Sequence, residues 1–229
     1  NQSTVAMLIA IDSSRSIKPQ ELARAKASAR EFVSLLPPGI KLSLVSFDDR
    51  TVVLSGEFAS NQRLTDCIQS IDLHGRRTLL FNSLYDAIDM LDKIDCGKKI
   101  IVVYTDGHDE GSRVTEQEIS SFLADTRVSL YVVCSDRKEG FCERNLKNPV
   151  ELSDGTMVSL ADKKALTELY EAIFNKYHYT RTLRFRSNQK ADGESHRIEV
   201  RFRNGDLRIR TTQHVKYKKA SFFMHLPEI

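Results

Sequence analysis

The chain lacks the features that would assign it to several large protein classes. No apolar run approaches the roughly 20 residues that cross a bilayer, and both Val5 to Ile11 and Ile100 to Tyr104 are strand-sized. There is no G-x-S-x-G turn to present a serine nucleophile, and no glycine-rich loop to cradle nucleotide phosphates. Cys and His nowhere cluster at the spacing of a zinc site. The four cysteines form no C-x-x-C motif and no dense framework, so four reduced thiols in a cytosolic protein stand as one reading. The other is an exported protein in which Cys134 and Cys142 clip a loop, while Cys67 and Cys96, flanking a helical segment, meet in space. Asn1 opens the chain with neither a methionine nor a basic-then-apolar leader, which suggests a removed signal segment or a chosen boundary.

What is present suits one substantial core: 229 residues, 41% of them hydrophobic. Val5 to Ile11 is continuously apolar and ends on Asp12, the pattern of a central strand buried on both faces. Pro19 then opens a helix along Leu22, Ala25, Ala29, Phe32, Val33 and Leu36, stopped by Pro37-Pro38-Gly39. Lys41 to Phe47 and Thr51 to Leu54 read as a hairpin around Asp48 and Asp49, with one antiparallel edge strand. Leu80, Leu84, Ala87, Ile88, Leu91 and Ile94 mark a second helix, followed by the strand Ile100 to Tyr104 and then Asp106-Gly107. Thr115 with Glu118 caps a helix, Ser129 to Val133 is the next strand, and Leu166, Leu169, Ile173 and Tyr177 line a last helix. This alternation predicts an α/β doubly wound, mostly parallel sheet with helices on both faces over residues 1–177.

After Tyr177 the period becomes two. Leu183 and Phe185, then Ile198, Val200 and Phe202, then Leu207 and Ile209 alternate with arginines, with Asn204-Gly205-Asp206 as a turn. Residues 178–229 are expected to form an antiparallel β extension packed on the same domain. They hold 12 Lys+Arg against 5 Asp+Glu, so the net charge of +3 conceals an acidic remainder. Arg184, Arg186, Arg197, Arg201, Arg203, Arg208 and Arg210 are expected on the outer face of that extension. A solvated face that discourages edge pairing is the plain reading, and an anionic surface is the candidate partner. Aromatic residues to stack bases are missing from that face, which speaks against specific nucleic-acid recognition.

Ligands of open α/β sheets gather beyond the carboxyl ends of the strands, where Asp12, Ser14, Ser16 and Asp106 all fall. Two serines two apart bring hydroxyls beside the Asp12 carboxylate. Such a hard, weakly charged oxygen set suits Mg²⁺, with Mn²⁺ or Ca²⁺ as alternatives. His108 and Asp109 read as solvent-facing loop residues, and Asp48 with Asp49 as a turn.

These residues carry a family resemblance. Asp12-Ser13-Ser14-Arg15-Ser16 resembles the D-x-S-x-S signature of the metal-ion-dependent adhesion site in von Willebrand factor type A domains. Thr78 resembles that family's metal-site threonine, and Thr105-Asp106-Gly107 its T-D-G motif. The resemblance spans Val5 to Tyr177, and the tail is similar to the β extension of some bacterial secreted members. It implies direct metal contacts from Ser14, Ser16 and Thr78, contacts from Asp12 and Asp106 directly or through water, and a vacant position for an acidic oxygen of a protein partner. The family commonly has glycine where Arg15, Arg76 and Arg77 stand, so three arginines rim this site as candidate partner contacts.

The resulting expectation is a secreted or periplasmic, metal-dependent, adhesion-type binding domain with no catalytic residues. A cytoplasmic scaffold subunit of a metal-dependent assembly is the alternative. A metal-dependent phosphohydrolase ranks lower, because the aspartyl-phosphate type needs a second aspartate where Ser14 stands.

Overall fold

In the computed structural model, residues 5–37, 39–56, 60–135, 140–178, 180–186, 195–204, 207–216 and 221–227 are described, with side chains as far as residue 175. Two compact units emerge, Asn1–Tyr179 and Thr180–Ile229. The first begins with β1 (Val5–Asp12), α1 (Pro19–Leu35), β2 (Lys41–Phe47) and β3 (Thr51–Ser55). It continues through α2 (Asn61–Gln69), α3 (Leu80–Asp92), β4 (Lys98–Thr105), α4 (Glu116–Thr126) and β5 (Val128–Cys134). It closes with α5 (Phe141–Leu152), β6 (Met157–Ser159) and α6 (Lys163–His178).

The six strands form one sheet in the order β3-β2-β1-β4-β5-β6, parallel except for β3. Strand β1 is buried throughout because successive side chains enter different cores. Met7, Ile9 and Ile11 pack with α1, α2 and α6 through Phe32, Leu64 and Leu169; Ala6, Leu8 and Ala10 pack with α3, α4 and α5 through Leu84, Ile119 and Leu146. That two-sided burial is the cause of the unbroken apolar run in the sequence. A polar thread crosses the first core: the Tyr170 hydroxyl lies 2.6 Å from Ser28 Oγ and 2.9 Å from the Tyr104 hydroxyl, satisfying three groups that burial strips of water.

The predicted α/β sheet is therefore present, with three elements that the sequence reading passed over. Helix α2 is capped by the Ser60 hydroxyl accepting from Arg63 N, and it buries Leu64 and Ile68 one turn apart. Helix α5 contains Pro149, which reads as a breaker, yet Cys142, Leu146 and Val150 make a buried stripe at four-residue spacing. Three-residue β6 is too short to signal.

The second unit is antiparallel: β7 (Thr180–Arg186) pairs with β10 (Ser221–Pro227), and β8 (Ser195–Asn204) with β9 (Leu207–Lys216). Asn204 pairs with Leu207, as a two-residue connection requires, although Gly205 and Asp206 lie outside the described residues. The expected single arginine face divides, since Arg184 and Arg186 lie in β7 and the other five in β8 and β9. The outward placement expected for those side chains, like the facing of Tyr177, lies outside the described residues.

Candidate functional site

Strand order reverses between β1 and β4, and a doubly wound sheet opens its ligand crevice beyond the carboxyl ends at such a switch. Asp12 is the last residue of β1, and Asp106 follows the last residue of β4. Asp12 is buried at 1% exposure. Its Oδ1 accepts from the Ser14 backbone N–H at 3.0 Å and from the Ser14 hydroxyl at 2.6 Å, while its Oδ2 accepts from the Thr105 hydroxyl at 2.7 Å. Thr105 in turn accepts from Gly107 N at 3.0 Å. The threonine of the T-D-G segment thus orients the β1 carboxylate, a role not foreseen from the sequence.

Three hydroxyls meet beside that carboxylate. Ser14 Oγ lies 2.9 Å from Ser16 Oγ and 2.7 Å from Thr78 Oγ1, and Ser16 Oγ lies 3.1 Å from Thr78 Oγ1. Ser14 and Thr78 are fully buried and Ser16 partly so. An octahedral ion with oxygens at about 2.0–2.1 Å sets adjacent oxygens about 2.9 Å apart, so this triangle has the dimensions of one octahedral face. Among the described residues no group of three or more His, Cys, Asp or Glu could hold a metal ion. A cation here would depend on hydroxyls, which fits a hard ion and not a soft one.

Electrostatics agree with that fit. Burial pushes the Asp12 pKa up to about 7, hydrogen bonds from Ser14 and Thr105 oppose the rise, and the nearby Asp106 carboxylate adds to it. Asp106 is 7% exposed, and its Oδ1 accepts from His108 N at 2.9 Å. The buried Asp12 carboxylate, its ionisation further disfavoured by the neighbouring Asp106, stands next to polar hydroxyls. A divalent ion would reverse this repulsion.

The loops that hold Thr78 use Glu110, which the sequence reading passed over, and Asp109, which it placed in a solvent-facing loop. Glu110 Oε2 accepts from Thr78 N at 3.2 Å, and Glu110 N donates to Thr78 O at 2.7 Å. Asp109 Oδ1 accepts from Phe81 N at 3.3 Å, and Ser112 Oγ accepts from Asn82 N at 3.2 Å. Helix α3 has no side-chain cap of its own, so the loop after β4 satisfies its first N–H groups. Asp109 is a half-exposed loop residue that also caps α3. Asp48 lies in the β2–β3 turn as read, and has a further part. Its Oδ1 accepts from Arg50 N as a turn residue would, but it is only 5% exposed, and burial, joined by Asp49, raises its pKa. Its carbonyl accepts from Leu79 N at 2.8 Å, and the segment before Thr78 comes so close that a Cβ on Gly75 would lie 2.5 Å from Asp48 Cβ. The signal available in sequence was an acidic loop following the T-D-G segment; its partner helix was not legible.

Arg15, between the two serines, and Arg76 and Arg77, just before Thr78, are exposed. Beneath Asp106, a disulfide joins Cys134 at the end of β5 to Cys142 in the first turn of α5. Gly107 has φ +80°, and a Cβ there would meet Cys142 N at 2.5 Å; Asn145 Nδ2 donates to Gly107 O at 2.8 Å. Cys67 and Cys96 are free.

Residues 7–108 match the family model of the von Willebrand factor type A domain. That stretch, just under half of the chain, is similar to such a domain. Solved structures of the same fold include BatB from Bacteroides thetaiotaomicron, at 17% identity and TM-score 0.62 over 74% of this chain and 97% of that one. Three N-terminal domains of the type V pili tip protein Mfa5 from Porphyromonas gingivalis match at 12% identity and TM-score 0.64, over 99% of this chain and 59% of that one. Proximal thread matrix protein 1 from the mussel byssus, in a form with a zinc occupied MIDAS motif, matches at 19% identity and TM-score 0.62, over 75% of this chain and 46% of that one. At such identities the likeness establishes the fold. No curated protein matches this chain.

Proposed function

We propose that this domain holds one divalent cation, Mg²⁺ by preference, and uses it to bind an acidic group of a protein partner. The observation that carries the reading is the triangle of Ser14, Ser16 and Thr78 hydroxyls, 2.7 to 3.1 Å apart, beside the buried Asp12. The three hydroxyls would contact the ion, with Asp12 and Asp106 contributing directly or through water. Hydroxyl ligands leave the ion under-neutralised, so it would supply an acceptor for a partner carboxylate. The chain's own residues do the remaining work. Thr105 and the Ser14 backbone fix Asp12, Glu110 and Asp48 fix the Thr78 segment, and Arg15, Arg76 and Arg77 add charge-assisted hydrogen bonds at the rim.

A binding role is preferred to catalysis because the Asp12 carboxylate holds the Ser14 and Thr105 hydroxyls in place beside the triangle. The Cys134–Cys142 disulfide supports an oxidising compartment, secreted or periplasmic, over a cytoplasmic scaffold. Among the described residues no helix is long and apolar enough to cross a membrane.

The test is calorimetry with Mg²⁺ and Mn²⁺ on wild type and on Asp12→Ala/Asp106→Ala, then capture of partners from a surface extract with Mg²⁺ or with chelator. Saturable binding in wild type alone, and partners that chelator releases, are expected. Equal metal binding in both proteins would remove the site assignment, and partner binding undiminished by chelator would remove the mechanism.

A further inference from the structure

The β8–β9 ribbon carries an arrangement of charge that its folding does not need. Its register sets Arg201 opposite Arg210 and Arg203 opposite Arg208; next along are Glu199 opposite Thr212 and Arg197 opposite His214. Residues directly opposite, and residues two apart on a strand, share a face. One face therefore collects five arginines against one glutamate. The other face collects Ile198, Val200, Phe202, Leu207, Ile209 and Val215.

Like charges directly opposite destabilise an antiparallel pair. A surface needs only mixed charge to stay soluble and to block edge pairing, so two successive Arg–Arg pairs work against the fold without improving it. An anion shared by each pair would turn the repulsion into attraction. We infer that this face binds a linear polyanion carrying sulfate or phosphate groups, specifically an acidic polysaccharide.

Three features select that ligand. Guanidinium groups match tetrahedral oxyanions through paired N–H donors, better than a point charge does. The two Arg pairs are two residues apart, so their anion positions repeat at about 7 Å along the ribbon, which suits a chain of charged groups more than one ion. The arginine face has no Phe, Tyr or Trp for bases to stack on, Phe202 being on the other face, and no aliphatic residue to enter a lipid surface. The inference does not depend on the proposed metal centre.

The experiment uses the full chain in chelator, so that the metal centre is silent, and measures anisotropy of a fluorescent sulfated dextran across a salt series. Wild type binds with an affinity that falls as salt rises. Arg201→Ser/Arg210→Ser weakens binding about tenfold, the scale of one lost charge-assisted contact set, and flattens the salt dependence without lowering Tm. Arg203→Lys/Arg208→Lys keeps the charge, folds for the same reason, and still binds several-fold more weakly. Arg184→Ser/Arg186→Ser, in the other two-stranded sheet, removes equal charge and changes binding little. The inference is overturned if the Arg201/Arg210 variant binds as wild type does, or if the β7 variant loses as much, which would reduce the effect to net charge. It is equally overturned if a single-stranded oligonucleotide binds more tightly than the dextran, or if anionic phospholipid vesicles bind and the dextran does not.

Discussion

Replacing Asp12 with asparagine should make the metal-free protein more stable at neutral pH while destroying the metal response. The Asp12 carboxyl titrates near 3.8 when unfolded and near 7 in the fold, with burial as the main cause. A carboxyl raised in this way stabilises the native state fully below the unfolded pKa, and that contribution is lost as pH rises through 7. The loss amounts to about 4 kcal/mol at 1.4 kcal/mol per pKa unit, with about 3 kcal/mol of it between pH 5 and 8. Asparagine has no such titration. Its oxygen can still accept from both Ser14 donors, while its amide faces Thr105 Oγ1 and leaves the threonine proton without its acceptor, a pH-independent cost of about 1 kcal/mol. In chelator, the Tm of Asp12→Asn relative to wild type should rise by roughly 6–12 °C between pH 5 and pH 8. With Mg²⁺ at 100 times its Kd, wild type alone should regain about 2.7 kcal/mol. The measurement is a set of thermal melts at several pH values with and without Mg²⁺. A Tm difference that does not change with pH would refute the buried-carboxylate argument, and an equal Mg²⁺ shift in both proteins would take Asp12 out of the metal site.

Gly107→Ala should cost roughly 2–4 kcal/mol in urea melts, because the residue sits at φ +80° and the new Cβ would meet Cys142 N at 2.5 Å. Glu110→Ala should lower Mn²⁺ affinity several-fold by calorimetry, with a stability loss of about 1 kcal/mol, since Thr78 N loses its acceptor; unchanged affinity would show that Thr78 is held without it. Cys134→Ser/Cys142→Ser should lower stability by about 2.5 kcal/mol, the closure entropy of a loop with sequence separation 8, read from denaturant midpoints. Protein taken from its native compartment without reductant should titrate two thiols when denatured, those of Cys67 and Cys96, and not four.

The sequence by itself determined the five longer strands of the sheet and the identity of the loops at its carboxyl edge. A strand buried on both faces must be apolar at every position, so Val5 to Ile11 and Ile100 to Tyr104 announce themselves, and the helices between strands carry their burial at intervals of three and four residues. The D-x-S-x-S segment and Thr105-Asp106-Gly107 were legible for a related reason: both follow such strands directly. Helices α2 and α5 were harder to read, the one for its brevity and the other for Pro149 inside it, although each buries residues one turn apart. Only the tertiary structure decided what surrounds Thr78. The contacts from Glu110 to Thr78 and from Asp109 to the start of α3 span 32 and 28 residues, and no local spacing encodes them. Asp48 looked like any turn aspartate until the Gly75 segment closed over it. The same holds for the arginine pairs: alternation along β8 and β9 shows which residues share a face, but only the pairing register sets Arg201 against Arg210.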